Sequence, residues 1–130
     1  MKKLFFISLI LMNNIAFAEK TNSQFDVCMD KAGGVTVNML NCIDAETQRQ
    51  DKKLNTMYQN VMKSLTDKRK EQLKKAQQIW IKYRDANCGF YHDPEGGTIA
   101  SISGANCVMD MTTQRAKELE DFHKLTKDAG

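Results

Sequence analysis

The chain has 130 residues and a mass of 14.8 kDa, which is the size of one domain and excludes a multidomain enzyme. Its hydrophobic fraction of 42% and charged fraction of 27% are typical of a globular protein and exclude a chain that is disordered throughout. The formal net charge is +3, and it falls to +1 without Lys2 and Lys3, which is less basic than a nucleic-acid-binding domain usually is.

The first 18 residues have the three parts of a secretory signal peptide. Lys2-Lys3 form a basic start, residues 4–12 form an apolar stretch too short to span a bilayer, and Ala16-Phe17-Ala18 is a small-x-small cleavage site. We predict cleavage after residue 18, export to the periplasm or medium, and one domain over residues 19–130. Glu19 stands where a lipid-anchored protein would have cysteine, and no later apolar stretch reaches the roughly 18 residues of a membrane span.

Helical patterns follow one another along residues 19–130. A brief helix over Ser23 to Lys31 is expected to end at Gly33-Gly34. A long helix is predicted from Thr36 to Leu65, because apolar side chains recur every three or four residues in its second half. Thr66-Asp67 is then predicted as a turn and N-cap, since both side chains can accept hydrogen bonds from free amides.

Two further helices are predicted on either side of a glycine-rich segment. The first runs from Lys68 to about Asn87. Residues 89–97 contain three glycines and the only proline, which favours a loop, and Thr98 is expected to cap a last helix to about Thr126. The predicted buried face of this last helix consists of Ile102, Ala105, Met109, Ala116 and Leu119. With no convincing strand pattern, the fold class is all-α: a small disulfide-stapled bundle of three to four helices with one long Gly-rich loop.

Four cysteines lie in the exported part of the chain, an even number that predicts two disulfides. We favour Cys28–Cys42 and Cys88–Cys107, because each pair closes a short loop between predicted helix ends. A zinc site would need closely spaced cysteine pairs, which are absent, and a nucleophilic cysteine would have to be free. We therefore expect no metal site.

One set of residues forms a recognisable pattern around these cysteines. The pattern consists of Glu46, Asp51, Leu54-Asn55, Tyr58, Leu73, Gln77, Trp80-Ile81, Tyr83-Arg84-Asp85, Cys88, Gly96-Gly97-Thr98, Cys107, Thr113, Arg115 and Leu119. It resembles the LprI-like lysozyme inhibitor family of small exported helical domains, over roughly residues 28–120. The chain departs from that family in having Thr98 where serine is frequent and in lacking the cysteine of the lipid-anchored members.

The resemblance implies a lysozyme as protein partner, with binding rather than catalysis. The sequence also lacks a catalytic triad, a phosphate loop or paired glycosidase-like carboxylates, so we expect no enzymatic activity, no catalytic residue and no cofactor. The oligomeric state is left open. The alternative is an envelope interaction or immunity module directed at another cell-wall-acting factor, since family membership does not by itself determine function.

Most of the pattern residues are interpreted as structural. Trp80 is expected to be a core anchor, with Gln77 and Arg84 on the same face and in need of polar partners. We predict that Arg84 pairs with Glu46 or Asp51 on the long helix, and the alternative is that Arg84 is a binding hot spot. Other residues assigned a structural role are Asn55 and Tyr58 as inter-helix hydrogen-bonding groups, Asp85, Gly96, Gly97 and Arg115.

The 89–97 loop is the predicted partner-binding segment. A Cys88–Cys107 disulfide would fasten its base and so reduce the entropy lost on binding. The expected contact residues are Phe90, Tyr91, His92, Asp93 and Glu95. Because many lysozymes are basic proteins with an acidic cleft, the aromatic side chains are expected to fill the cleft and the carboxylates to meet its basic rim. The opposing interpretation is a structural connector.

A basic stretch, Lys68-Arg69-Lys70 with Lys74-Lys75, opens the third predicted helix. The simplest interpretation is a solvated helix face. The alternative is a weak, salt-sensitive site for anionic lipid headgroups or envelope polymers.

Overall fold

The computed structural model describes residues 23–128, and the predicted signal peptide lies outside them. This part of the chain forms four helices and contains no strand: α1 (Gln24–Ala32), α2 (Thr36–Ser64), α3 (Asp67–Tyr91) and α4 (Gly97–Asp128). The all-α prediction is confirmed. None of these helices is long and apolar enough to cross a membrane.

Helix α1 begins and ends with residues suited to those positions. The Ser23 hydroxyl accepts a hydrogen bond from the Asp26 amide at 3.1 Å, and the Asp26 carboxylate accepts one from the Ser23 amide at 3.0 Å, which is a capping box. Gly33 ends the helix with φ of 58°, a left-handed conformation that glycine adopts at little cost.

The predicted capping bonds of the later helices are absent. Thr66 occupies the N-cap position of α3 with extended backbone, but its side chain makes no capping hydrogen bond. The carboxylate of Asp67 lies in the first turn and accepts from Lys70 Nζ at 3.1 Å instead. Thr98 lies inside α4, because that helix already begins at Gly97.

Helix α4 is the central element of the bundle. It packs along α2 and, less extensively, along α3, while α1 packs chiefly against α2. The main core cluster consists of Leu54, Ala116 and Leu119, and Met57, Tyr58, Leu73 and Trp80 pack around it. Of the predicted α4 face, Met109, Ala116 and Leu119 are buried, whereas Ile102 and Ala105 are only half-buried.

Helices α2 and α4 run parallel, since contacts advance along both in the same direction. Leu40 and Val108 border one groove, Lys53 pairs with Glu120 at 2.7 Å, and Ser64 and Thr126 border another groove. Helix α3 runs antiparallel to α4. The turn between α3 and α4 therefore lies at the same end of the bundle as the start of α2.

Both disulfides have the favoured pairing. Cys28 is bonded to Cys42 with a Cα–Cα distance of 5.7 Å, which ties α1 to α2. Cys88 is bonded to Cys107 with a Cα–Cα distance of 5.4 Å, which ties the end of α3 to α4. We call the end of the bundle where α3 meets α4 the disulfide end.

The long Gly-rich loop is shorter than predicted. Helix α3 continues through Gly89, Phe90 and Tyr91, so that only residues 92–96 connect α3 to α4. Glycine costs about 1 kcal/mol relative to alanine in a helix interior. The Cys88–Cys107 bond offsets this local preference, because it holds the last turn of α3 against α4.

The predicted pairing of Arg84 with α2 is wrong. Its guanidinium pairs with Asp85 at 2.8 Å and donates to the Thr112 hydroxyl of α4 at 3.4 Å. The reason is that this face of α3 packs on α4. Glu46 pairs with Arg49, and Asp51 accepts from Asn55, in both cases within α2.

Asn55 is thus exposed and bonded within its own helix, which corrects its predicted inter-helix role. Tyr58 is half-buried and packs against the core cluster.

Candidate functional site

The candidate site is built on the last turn of α3, which is held against α4 by a covalent bond and a close backbone approach. Cys88 is buried and bonded to Cys107, and its carbonyl accepts from the His92 amide at 3.1 Å. Gly104 of α4 faces His92 so closely that an added Cβ would lie 2.8 Å from the His92 Cβ. Glycine at position 104 is therefore a requirement for this packing.

The connection between α3 and α4 is a tight turn that its own polar groups stabilise. The Asp93 carboxylate accepts from the Glu95 amide at 2.9 Å, and the Asp93 carbonyl accepts from the Gly96 amide at 3.0 Å. A Cβ on Gly96 would lie 2.6 Å from that of Ala100, and Gly97 has φ of 65°. These two glycines let the chain reverse direction directly into α4.

The turn and the helix end before it present apolar and acidic side chains to solvent. Phe90 is 83% exposed and Tyr91 52% exposed, and their rings meet edge to face with centroids 5.9 Å apart. His92, Asp93 and Glu95 are exposed as well. The structure thus brings all five predicted contact residues together at the disulfide end.

Ile99 extends this exposed surface and was missed by the sequence analysis. It lies in the first turn of α4 and is 69% exposed. The sequence carried a weak signal, because Ile99 precedes Ile102 by three residues on the apolar face of α4. Only the structure shows that none of the helices it describes covers Ile99 at the start of α4.

An open groove borders the candidate site. It has a volume of about 570 Å³, and Leu40 of α2, Gly89 of α3 and Val108 of α4 contribute much of its apolar lining. Asp85 and His92 add polar groups at its edge. The exposed aromatic pair and the groove together offer an apolar surface next to carboxylates, a combination suited to binding a protein.

A group of pattern residues centred on Trp80 lies away from this surface and joins α3 to α4. The Trp80 ring lies under the guanidinium carbons of Arg84 and Arg115, at 5.2 and 5.9 Å from the ring centroid. Arg115 Nε donates to the buried Gln77 side chain at 3.0 Å. Their role in the structure is to pack and orient α3, which in turn places its last turn.

A second groove lies at the opposite end of the bundle, where α2 turns into α3. It has a volume of about 400 Å³ and an apolar floor that includes Leu65, Leu73 and Phe122. Arg115 also lines it, but Gln77 and Glu118 already bind that guanidinium. The groove therefore offers a partner fewer polar groups that are free to bind than the disulfide end does.

Within residues 23–128, no group of three or more histidine, cysteine or carboxylate side chains is arranged to hold a metal ion. Glu120, a carboxyl group whose pKa is strongly lowered, lies outside the candidate site. Hydrogen bonds from Lys124 and from Lys53 lower the pKa of Glu120 to about 2.

Comparison with known proteins finds one family whose model covers most of the chain. The model described as "Lysozyme inhibitor LprI" matches residues 28–119. An uncharacterized protein of Rhizobium meliloti (strain 1021) is 32% identical over 97 residues, which covers 62% of this chain and 68% of that protein. No solved structure matches the chain significantly.

Proposed function

The chain belongs to the LprI lysozyme inhibitor family, and from that membership we propose that it is an exported protein that binds a lysozyme and blocks its active cleft without catalysis. The family and the two disulfides indicate a protein of the periplasm or the extracellular space. Removal of residues 1–18 as a signal peptide is part of the proposal.

The observation that carries the proposal is the exposed Phe90–Tyr91 pair on a helix end that is fastened to α4. Large aromatic side chains are frequent energetic centres of protein interfaces. Here the backbone beneath them is held by the Cys88–Cys107 bond and by the close approach at Gly104. Little conformational entropy is then lost when the aromatic rings enter a cleft.

The carboxylates of the turn add electrostatic complementarity. Asp93 and Glu95 lie next to the aromatic pair and are exposed. Against a basic lysozyme they increase the association rate and orient the inhibitor on the rim of the cleft. This contribution weakens as salt is added, because exposed charges are screened.

We predict stoichiometric inhibition of at least one lysozyme type by the oxidised, exported protein. Chicken-type, goose-type and invertebrate-type lysozymes are assayed side by side for cell-wall lysis. Phe90→Ala with Tyr91→Ala is expected to weaken inhibition about 30-fold or more, as for interface hot spots. Leu125→Ala is the matched control, since Leu125 is also exposed but lies near the end of α4.

Charge is tested separately from shape. Asp93→Asn with Glu95→Gln is expected to slow association and to reduce its salt dependence. Asp67→Asn with Glu71→Gln removes the same charge at the other end of α3 and is expected to leave inhibition unchanged. Equal effects of the two double variants would contradict the proposed contact surface.

If every lysozyme stays fully active at excess protein, the inhibitor proposal is wrong. The alternative, an interaction or immunity module against another cell-wall-acting factor, would then be pursued by pull-down from envelope extract.

A further inference from the structure

The face of α3 that points away from α4 carries exposed apolar side chains. Ile79 is 57% exposed and Tyr83 60% exposed, although both residue types are usually buried or half-buried. At 100° per residue they lie opposite Gln77, which is buried against α4. Phe90 continues the same face to the disulfide end.

Lysines lie on this same face at a regular spacing. Lys68, Lys75 and Lys82 are seven residues apart and exposed, and they span about 21 Å of helix. No ion pair is formed by any of the three with the residues that the structure describes. We call the five residues Lys68, Lys75, Ile79, Lys82 and Tyr83 the outer stripe.

The sector of α3 that holds the outer stripe contains no carboxylate. Asp67, Glu71 and Asp85 lie to one side of it on the helical wheel, and Asp67 and Asp85 pair with Lys70 and Arg84. Glu71 borders the outer stripe, three residues after Lys68 and four before Lys75, so its three lysines face one neighbouring carboxylate that is not already in an ion pair and the stripe stays net positive.

We propose that the outer stripe is a peripheral docking surface for an anionic phospholipid bilayer. A helix that lies in a membrane interface combines apolar side chains with flanking lysines, and tyrosine is enriched at that depth. Unpaired lysines are attracted to a negatively charged lipid surface. The inference does not rest on lysozyme binding.

The charge of the outer stripe argues against a second copy of this chain as the occupant. Two copies facing each other would oppose three lysines with three lysines, which is unfavourable. The apolar part is also limited to two side chains with Phe90 beyond them. That is less than the buried core of a stable protein interface requires, whereas electrostatic attraction to lipid adds to a small apolar contact.

The test is co-sedimentation of the oxidised, exported protein with vesicles. One set contains about 30% phosphatidylglycerol in phosphatidylcholine, the other phosphatidylcholine alone, each at low salt and near physiological ionic strength. We expect binding to the anionic vesicles only, and weaker binding at the higher salt. Equal binding to both sets, or no binding at low salt, would overturn the proposal.

Two triple variants separate local charge from net charge. Lys68→Gln, Lys75→Gln and Lys82→Gln together are expected to lower the partition coefficient roughly 100-fold, at about fivefold per lysine. Lys52→Gln, Lys63→Gln and Lys127→Gln remove three exposed lysines from α2 and α4 and are expected to change it less than about threefold. Equal losses in both triples would show that net charge alone is responsible and would refute the outer stripe.

Ile79→Gln with Tyr83→Gln tests the apolar part, and should weaken binding while leaving its salt dependence in place. Thermal unfolding verifies that each variant is folded.

Binding to soluble polyglutamate but not to anionic vesicles would identify an acidic protein site and contradict the lipid proposal. All outer-stripe variants are expected to retain lysozyme inhibition, so this inference and the proposed function fail independently.

Discussion

Single polar contacts determine how α3 sits on α4. Gln77 is buried and would be costly there without a partner, and Arg115 supplies one at 3.0 Å. Arg84 and Arg115 both lie against Trp80, which explains why these residue types occur together in the family pattern without touching the candidate site. The proposed contact residues, by contrast, are exposed side chains on the framework that these contacts position.

Gly104 is the residue whose substitution should separate positioning from contact. Gly104→Ala places a Cβ 2.8 Å from that of His92, so the end of α3 has to move away from α4. We expect a loss of about 1–3 kcal/mol in the free energy of unfolding, typical of overpacking, together with weaker lysozyme inhibition. Urea denaturation and the inhibition assay measure the two effects.

Gly89→Ala is the matched control for Gly104→Ala. Gly89 also lies in a helix, but an added Cβ would meet nothing within 4 Å. This variant is expected to gain about 0.5–1 kcal/mol from helix propensity. If both alanine variants behave alike, the close approach of Gly104 to His92 does not position the helix end.

Helices α2 and α4 are joined by a cross-helix charge contact in addition to their apolar core. The Glu120 carboxylate accepts from Lys53 of α2 at 2.7 Å and from Lys124 of α4 at 2.8 Å. The hydrogen bond from Lys124 is the larger cause of the lowered pKa of Glu120, and that bond in turn raises the pKa of Lys124. Since all three groups are exposed in part, solvent reduces their contribution.

The lowered pKa gives this contact a defined pH dependence. A carboxyl whose pKa is about 2 in the folded state and 4.5 when unperturbed stabilises the fold above pH 4.5, and that contribution is lost as the pH falls toward 2. We therefore expect Glu120→Gln to be less stable than the wild type near neutral pH and to match it near pH 2. Denaturation across this range measures the difference.

Lys117→Met is the control for that titration, because Lys117 pairs with Asp121 within α4 and does not reach α2. NMR titration of the Glu120 carboxyl should show a midpoint near 2 in this control and a higher midpoint in Lys53→Met with Lys124→Met. An unchanged midpoint in the double variant would show that the two lysines are not the cause.

Across the whole molecule, the two disulfides secure parts of different importance. Cys28–Cys42 holds α1, which packs chiefly against α2, whereas Cys88–Cys107 joins two helices of the main bundle.

The charged side chains are also distributed unevenly over the surface. Three lysines of α3 lie on the outer stripe, and the carboxylates of Asp93 and Glu95 lie at the disulfide end. The two proposed contact surfaces thus carry charges of opposite sign.

Loss of Cys28–Cys42 should therefore destabilise α1 alone, whereas loss of Cys88–Cys107 should destabilise the main bundle. Cys28→Ala with Cys42→Ala is expected to expose the amides of α1 to rapid hydrogen exchange while α2, α3 and α4 stay protected and inhibition persists. Cys88→Ala with Cys107→Ala is expected to lower the free energy of unfolding by about 3 kcal/mol and to weaken inhibition. Hydrogen-exchange mass spectrometry distinguishes the two. Global loss of protection in the first variant would show that α1 belongs to the main cooperative unit.

Local sequence signals determined most of the helices and both disulfides of this protein. Apolar spacing, the Gly33-Gly34 stop and the even cysteine count predicted the helices and the two disulfides, because each signal acts within a few turns of helix or within one short loop. The pattern around Trp80 and the cysteines identified the family. The residues proposed for partner binding were also accessible from sequence, since an aromatic and acidic segment flanked by a cysteine is visible without a structure.

Tertiary structure decided what depends on the packing of one helix against another. Arg84 donates to Thr112 of α4 and not to the carboxylates of α2. The sequence alone does not distinguish these partners, because it does not show which helix packs against this face of α3. Helix α3 continues to Tyr91 because a disulfide and the approach of His92 to Gly104 outweigh the helix-breaking tendency of Gly89. The exposure of Ile79 and Tyr83 likewise follows from α3 using one face against α4, which leaves the opposite face to solvent.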